Sequence, residues 1–459
     1  MSDSDLFSEF REISSKEWKQ RIQVDLKGGD YNEELVWESP EGIKIKPFYH
    51  KEDTDTLALP KFPIATWRIA QEIYAGNAEM ANKNALDALK RGAESICFTV
   101  PNNTIDPKEL LQHIDLNKTP LYFNLQCLSD TFCKSVLKAA AKEPSPIFLN
   151  IDIVGNLARS GNWFSNMKED HQQLDTILAL GHSNTLSVDL GLYQNAGANK
   201  VQQLAYAMAH ANEYLNHLDR HHKPLLKSSL MTFKAAIGGN YFFEIAKLRA
   251  LKKLYATVAK SYGARPDCHI IATPTKRNKT LYDYNNNMLR TTTECMSAIL
   301  GGAHTVCNLA YDAIYKKDHE FGNRMARNQL LLLKEESHFN KVGNPADGSY
   351  YLETLTHQLA TKGLELFKQI EAGGGFLAQL KQQLIQKKIK ESAKKEQEGF
   401  NNKETVLVGT NKYPAAEDKM KDQLELYPFV KTKARKTLIE PIIEKRLSEV
   451  LEQKRLEQE

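Results

Sequence analysis

The sequence predicts an α/β fold, a (β/α)8 barrel with an N-terminal arm and a helical C-terminal extension, and three observations support that class. Short apolar β-like runs recur from Phe62 onward, they number eight, and helical stretches ending at glycines or polar turns separate them. The runs are FPIATW (62–67), SICFTV (95–100), PLYFNL (120–125), PIFLNI (146–151), TLSVDL (185–190), SLMTF (229–233), CHIIAT (268–273) and HTVCNL (304–309). Two separate α/β domains or an open sheet would show the same run count, so the count leaves the closure of the sheet open.

Residues 1–60 read as the arm. A polar amphipathic helix is expected near Ser15 to Leu26, followed by ELVW and IKIKPFY on either side of Ser39-Pro40-Glu41-Gly42, a hairpin pattern. Residues 61–400 form the expected barrel. Its helices include 77–91 stopped by Gly92, 199–218 with Val201, Leu204, Met208 and Leu215 on one side, and 240–262 stopped by Gly263. After the last run, 321–334 and 355–370 read as helices, Gly373-Gly374-Gly375 breaks the second, and 377–400 reads as one charged helix with a solvated face. Residues 401–459 are expected to hold one short strand, ETVLVGTN (404–411), and a second charged helix over 436–459.

Composition excludes several function classes. Hydrophobic residues make up 41% and charged residues 26%, and a net charge of +4 on 459 residues points to neither nucleic acid nor another polyanion. The first residues lack a basic stretch followed by an apolar one, and no run approaches a membrane span, so the cytoplasm is the expected location. Cys97, Cys127, Cys133, Cys268, Cys295 and Cys307 are scattered without zinc spacing and read as reduced thiols. His221 and His222 read as solvated loop residues, and with no HExxH-like spacing no metal site is expected.

The most specific stretch is NNNMLRTTTECMSAILGGAHTVCNLAYD (285–312), a helix stopped by Gly301-Gly302 and feeding a strand. It resembles the NN-x-x-RTT-x-E-A-x-x-A-x-x-GG segment of adenosylcobalamin-dependent acyl-CoA mutases, methylmalonyl-CoA mutase above all. IGGNYFFEIAKLRALKKLYA (237–256), RMARNQLLLLKEES (324–337) and NPADGSYYLETLT (344–356) are similar to further strings of that family. The resemblance covers most of residues 60–415. It implies a barrel along whose axis coenzyme A threads, adenosylcobalamin capping the C-terminal face, and radical isomerisation of methylmalonyl-CoA to succinyl-CoA, the chemistry of propionate metabolism.

Against that family pattern, several strings depart. The cobalt-ligating D-x-H-x-x-G is absent; the nearest string, Asp267-Cys268-His269-Ile270-Ile271-Ala272, lies in an expected strand and reads as structural. About fifty residues follow ETVLVG, fewer than a domain of roughly 100 residues needs, so no cobalamin module is expected on this chain. Where catalytic members carry S-G-Y-H-x-x-E-A-G-A, this chain has Asp189 to Ala198, which puts Gly191 at the tyrosine position and Leu192 at the histidine position. Leucine donates no hydrogen bond to a thioester oxygen. The family's entry string shrinks to Pro63 to Gln71, keeping Trp67 and Gln71, and Asn150 to Gly161 resembles the DPLGALARTG-like string of the family's small subunits.

Other polar groups were weighed as candidates. Arg290 and Glu294, four apart, suit an intrahelical ion pair, with a vestigial cofactor pocket as the sharper reading. Lys276, Arg277 and Lys279 read as a solvated basic loop rather than a phosphate site. Asp152, Asp189 and Asp283 follow strands and suit helix caps, or a repurposed ionisable cluster. The resemblance therefore implies a small subunit of a heterodimer with no catalytic or cofactor-binding residues of its own, inactive alone. A catalytic large subunit would hold the acyl-CoA and adenosylcobalamin, and the arm's hairpin would be a plausible contact with it. The alternative is a substrate-binding subunit working with a separate cobalamin-binding subunit.

Overall fold

Strands β1 (Arg68–Tyr74), β2 (Ser95–Val100), β3 (Leu121–Leu125), β4 (Ile147–Phe148), β5 (Ser187–Asp189), β6 (Met231–Ile237), β7 (Cys268–Pro274) and β8 (Thr305–Cys307) pair in the order 4-3-2-1-8-7-6-5, all parallel. The two ends of that order meet. Ile151 bridges Leu186 in parallel, and Leu149, Ile151 and Ser187 donate backbone N–H groups across the seam at 2.9, 2.8 and 3.0 Å. The sheet is therefore a closed cylinder, which excludes the open sheet and the two-domain reading. The computed structural model describes residues 8–54, 66–140, 146–431 and 434–459.

Seven of the eight expected runs coincide with or overlap their strands. The first does not: residues 62–65 lie outside the described residues, and β1 begins after Trp67, at Arg68. β1 is disguised because alternation turns Ala70 and Glu72 into the bore while Ile69 and Ile73 face the helices, so the run is not uniformly apolar.

The barrel helices form where the caps predict. Asn77 accepts from the Met80 N–H to start Ala78–Lys90, and Asn199 with Gln202 makes a reciprocal capping box opening Lys200–His221. Gly92 ends the first at φ 99°, where a Cβ would also press on Leu331. In the arm, Ser14 caps the helix Ser15–Asp25, and Trp37–Glu38 pairs antiparallel with Lys44–Ile45. The hairpin is tied to the barrel at its turn, where Glu41 lies 3.6 Å from Lys200 and Asn199 donates to the Pro40 carbonyl.

Three expectations for the C-terminal part are corrected. ETVLVGTN is no strand but a loop with a single bridge, Val408 to Lys412, because the Asn411 side chain takes the backbone partners of Leu407, Phe400 and Thr405 that a ladder would use. The charged helix is two, Phe376–Lys381 and Leu384–Asn401, parted at Gln383 with φ 61°. The final helix covers only Glu449–Gln458. Pro441 cannot continue a helical ladder. The preceding segment instead runs over the barrel, Leu438 and Ile439 donating to Gly161 O, Ile442 to Ala158 O, Lys445 to Asn195 O and Leu447 to Arg277 O.

The strings that carried the family resemblance meet one another in space. Arg249 pairs with Asp347 and, at 2.6 Å, with Glu353; Arg327 donates to Gln71; and Gln329 donates to Met288 O and Thr292. These contacts tie helices to one another and to β1. Arg249 and Glu353 are both buried, and removing one partner of such a pair leaves a desolvated charge, which costs about 3–5 kcal/mol. Arg249→Met is expected to lower the unfolding free energy from urea denaturation by that amount, seen as a lower midpoint with an unchanged slope; a midpoint equal to that of the wild type would show that the pair contributes nothing net.

Candidate functional site

Alternation along the strands sends one set of side chains into the bore, and these build the candidate site in layers. The lower layer is apolar and aromatic: Ala70, Cys97, Tyr122, Phe148, Ile271 and Cys307, all buried. β3 and β7 stand on opposite walls of an eight-stranded cylinder. The Tyr122 hydroxyl nevertheless reaches His269 Nε2 at 3.1 Å and Thr305 Oγ1 at 2.7 Å, so side chains span the axis. His269 lies against Phe148, Tyr122 and His304, with ring centroids 4.5, 5.6 and 5.0 Å apart.

Burial, then the neighbouring His304, holds His269 well below its ordinary value, and burial, then Lys252, takes His304 down to about 3. The Ile270 N–H donates to His304 Nδ1 at 3.0 Å, which requires that nitrogen to be unprotonated. Both rings are therefore neutral at neutral pH.

Above this layer, at the C-terminal ends of the strands, lies a cavity of about 790 Å³ lined by charged and amide groups. Lys234 of β6 reaches across to Asn124 of β3 at 3.5 Å and to Asp189 at 3.2 Å; Arg159 bonds Asp189 at 2.7 Å and Glu444 at 2.8 Å. Asp152 accepts from Tyr214 at 2.7 Å and lies 2.9 Å from His210. Burial alone would raise both acids, but His210, Tyr214 and Lys234 bring Asp152 to about 2, and Lys234 with Arg159 lowers Asp189. The roof is the chain's own tail, residues 426–430 and 444–446 with Glu449.

The structure brings some expected residues to this site and not others. Asp152 and Asp189 share the cavity, and each also caps a helix, accepting from Gly155 and Gly191 N–H groups. Asp283 is elsewhere, bonded to Asn286 and beside Gly409. Gly191 packs against Ala236, and Leu192 is buried in the main apolar core, so neither brings a donor into the cavity. Arg290 and Glu294 do not form the expected pair. The shared helix face is overridden by a closer cation: Lys279 reaches Glu294 at 2.7 Å in the interior, while Arg290 turns to Thr280, Asn287 and Val408 O.

Of the basic loop only Lys276 is solvated; Lys279 and Arg277 are buried, Arg277 bonding Glu396 at 2.6 Å and Lys445 O at 2.7 Å. Lys234, Arg159 and Tyr122 escaped the sequence reading. Period-two alternation held the signal for Lys234, whose position on the inward face near the end of a barrel strand marks it as a site residue. Among the described residues, no helix is long and apolar enough to cross a membrane.

Comparison with known proteins adds a second line. A family model described as methylmalonyl-CoA mutase matches residues 102–457. The chain is 34% identical over 452 residues to the methylmalonyl-CoA mutase small subunit of Porphyromonas gingivalis, covering 92% of this chain and 73% of that protein. It is 28% identical over 460 residues to the methylmalonyl-CoA mutase of Cereibacter sphaeroides, covering 87% and 64%, and 26% identical over 492 residues to the mitochondrial enzyme of Homo sapiens, covering 93% and 64%. The chain thus spans somewhat less than two thirds of the length of these last two relatives.

The neutral histidines of the bore set a pH dependence. Their folded values lie below the ordinary 6.5, so as pH falls from about 6.5 towards about 3 the unfolded chain binds protons that the folded chain does not, and stability drops through that window. By pH 5 His304, held at about 3, should contribute a loss of roughly 2 kcal/mol, and His269, also lowered, adds a loss of the same sign. Urea unfolding at pH 7 and pH 5 measures it, and the His269→Gln, His304→Gln double variant should show a flatter profile; equal slopes for both proteins would refute the assignment.

Proposed function

The chain belongs to the methylmalonyl-CoA mutase family, and from that membership we propose that it is a small, non-catalytic subunit of an adenosylcobalamin-dependent mutase. Its role is to pack against and stabilise a catalytic large subunit that isomerises methylmalonyl-CoA to succinyl-CoA. The observation that carries this reading is the bore. A barrel that threads coenzyme A needs an open axis, and here Tyr122, His269 and Phe148 fill it from wall to wall.

The residues present do not fit adenosylcobalamin either. His269, the nearest counterpart of a cobalt ligand, is enclosed in the bore with Nε2 engaged by Tyr122, and the tail lies across the face that the family's cofactor caps. The mouth's acids and bases are paired with one another, Asp189 with Lys234 and Arg159, Arg159 with Glu444, which leaves a network suited to rigidity rather than to proton transfer. On this reading the cofactor and the acyl-CoA belong to the partner. The arm supplies part of the contact, since it is fastened to the barrel at Glu41 while Trp18 and Trp37 remain half exposed.

The test is to purify the chain alone and together with a large mutase subunit, and to assay acyl-CoA isomerisation and adenosylcobalamin binding. The chain alone should neither turn over nor bind the cofactor, and it should co-purify with the large subunit. Turnover by the chain with added adenosylcobalamin, or with a separate cobalamin-binding subunit, would overturn the reading in favour of a substrate-binding subunit. Phe148→Ala should cost this chain about 3–5 kcal/mol of stability while leaving the rate per assembled complex unchanged; a fall in that rate at full assembly would place chemistry in this bore.

A further inference from the structure

On the outer wall of the barrel, away from the mouth, the helix Met167–Leu178 lies beside the C-terminal end of Lys200–His221. His171 and Asp175 are four residues apart on the first helix and His217 and His221 four apart on the second, so each pair shares a face. His222, the C-cap of the second helix, joins them. The expectation that His222 is a free loop residue is corrected here: its Nε2 lies 2.8 Å from Asp175 Oδ1, and His217 Nε2 lies 2.7 Å from that same oxygen.

We propose that Asp175, His217 and His222 bind a single zinc-class divalent cation that clips these two helices together. Among the described residues this is the one group of three or more such side chains whose ligand atoms converge, all lying within 4.8 Å of one another. A metal at about 2.0–2.1 Å from two imidazole nitrogens and one carboxylate oxygen needs those atoms roughly 3.3 Å apart by tetrahedral geometry. Each nitrogen now lies 2.7–2.8 Å from the oxygen and must draw back from it by about half an ångström, while the two nitrogens already lie within 4.8 Å of each other.

His171 lies next to this group but outside the set of converging ligand atoms, so it would have to move to take the fourth position. His171 Nδ1 lies 2.7 Å from the Met167 carbonyl, which can only accept, so Nδ1 carries the proton and Nε2 keeps its lone pair. That backbone contact is the kind that orients metal-ligating histidines, and the His171 and His217 rings are 5.6 Å apart. A cleft of about 240 Å³ reaches His217 but is not lined by Asp175 or His222; the Asp175 side chain, 40% exposed, opens the site to solvent directly. Two imidazoles with one carboxylate suit zinc over magnesium or calcium, which take oxygen ligands.

The site is independent of the barrel mouth and of any subunit role. The experiment uses the full chain, dialysed against a chelator and titrated calorimetrically with ZnCl2 and separately with MgCl2. One equivalent of zinc should bind, magnesium should give no saturable heat, and His217→Ala with His222→Ala should weaken zinc by more than about tenfold, the scale of losing even an outer-shell group. Asp175→Asn, which preserves side-chain volume, should weaken it likewise if the double variant fails to fold. Absence of saturable zinc binding, or one equivalent bound equally well by the folded variants, would overturn the proposal, the latter by placing the ion on other histidines or thiols.

Discussion

A closed parallel barrel must either pack its axis or leave it to solvent or ligand, and here the Tyr122 hydroxyl shared with His269 and Thr305 packs it. Closure at the β4–β5 seam leaves no sheet edge, so the interior volume is set by strand number and tilt and cannot collapse. Whatever lines it must therefore be packed or solvated. Aromatic and imidazole rings occupy the lower half, and their burial keeps both histidines neutral. With the axis spanned below, only the upper half remains as a cavity, and the tail forms its roof.

The same economy of pairing governs the charges elsewhere. Lys247 is fully buried yet meets Glu244, Gln194, Gln203 and the Ala236 carbonyl; Lys279 meets Glu294; Arg249 meets Glu353. A buried charge left alone would cost several kcal/mol. Each of these groups lies in or beside a string shared with the mutase family, which explains how such strings can persist in a chain whose bore is filled: they hold helices to one another and to the sheet.

Much of the barrel was legible because its causes are local. The caps at Asn77 and Asn199, the left-handed stop at Gly92 and the apolar runs from SICFTV to HTVCNL act over a few residues, and the elements fall close to where those signals put them. β1 was less legible, since RIAQEIY carries polar residues on a face that turns inward. ETVLVGTN misled for a different reason: strand propensity was present, but the Asn411 side chain supplied the hydrogen bonds that a neighbouring strand would have. Around the site, Asp152 and Asp189 were found as cap residues, whereas their union in one cavity was not visible, because 37 residues of chain separate them and only closure brings their strands side by side.

By itself the sequence determined most of the element types, the α/β class and the family, since periodicity, caps and long specific strings are properties of contiguous residues, but it left the closure of the sheet open. Tertiary structure alone decided which charges pair. Arg290 and Glu294 share a helix face, yet Lys279 takes Glu294 because it approaches from a loop in the low-dielectric interior, where the nearer cation wins. It also decided that Tyr122 and His269 meet across the axis and that His217 and His222 converge on Asp175. Those contacts depend on the curvature of the closed sheet and the packing of helices around it, and no local stretch of chain encodes either.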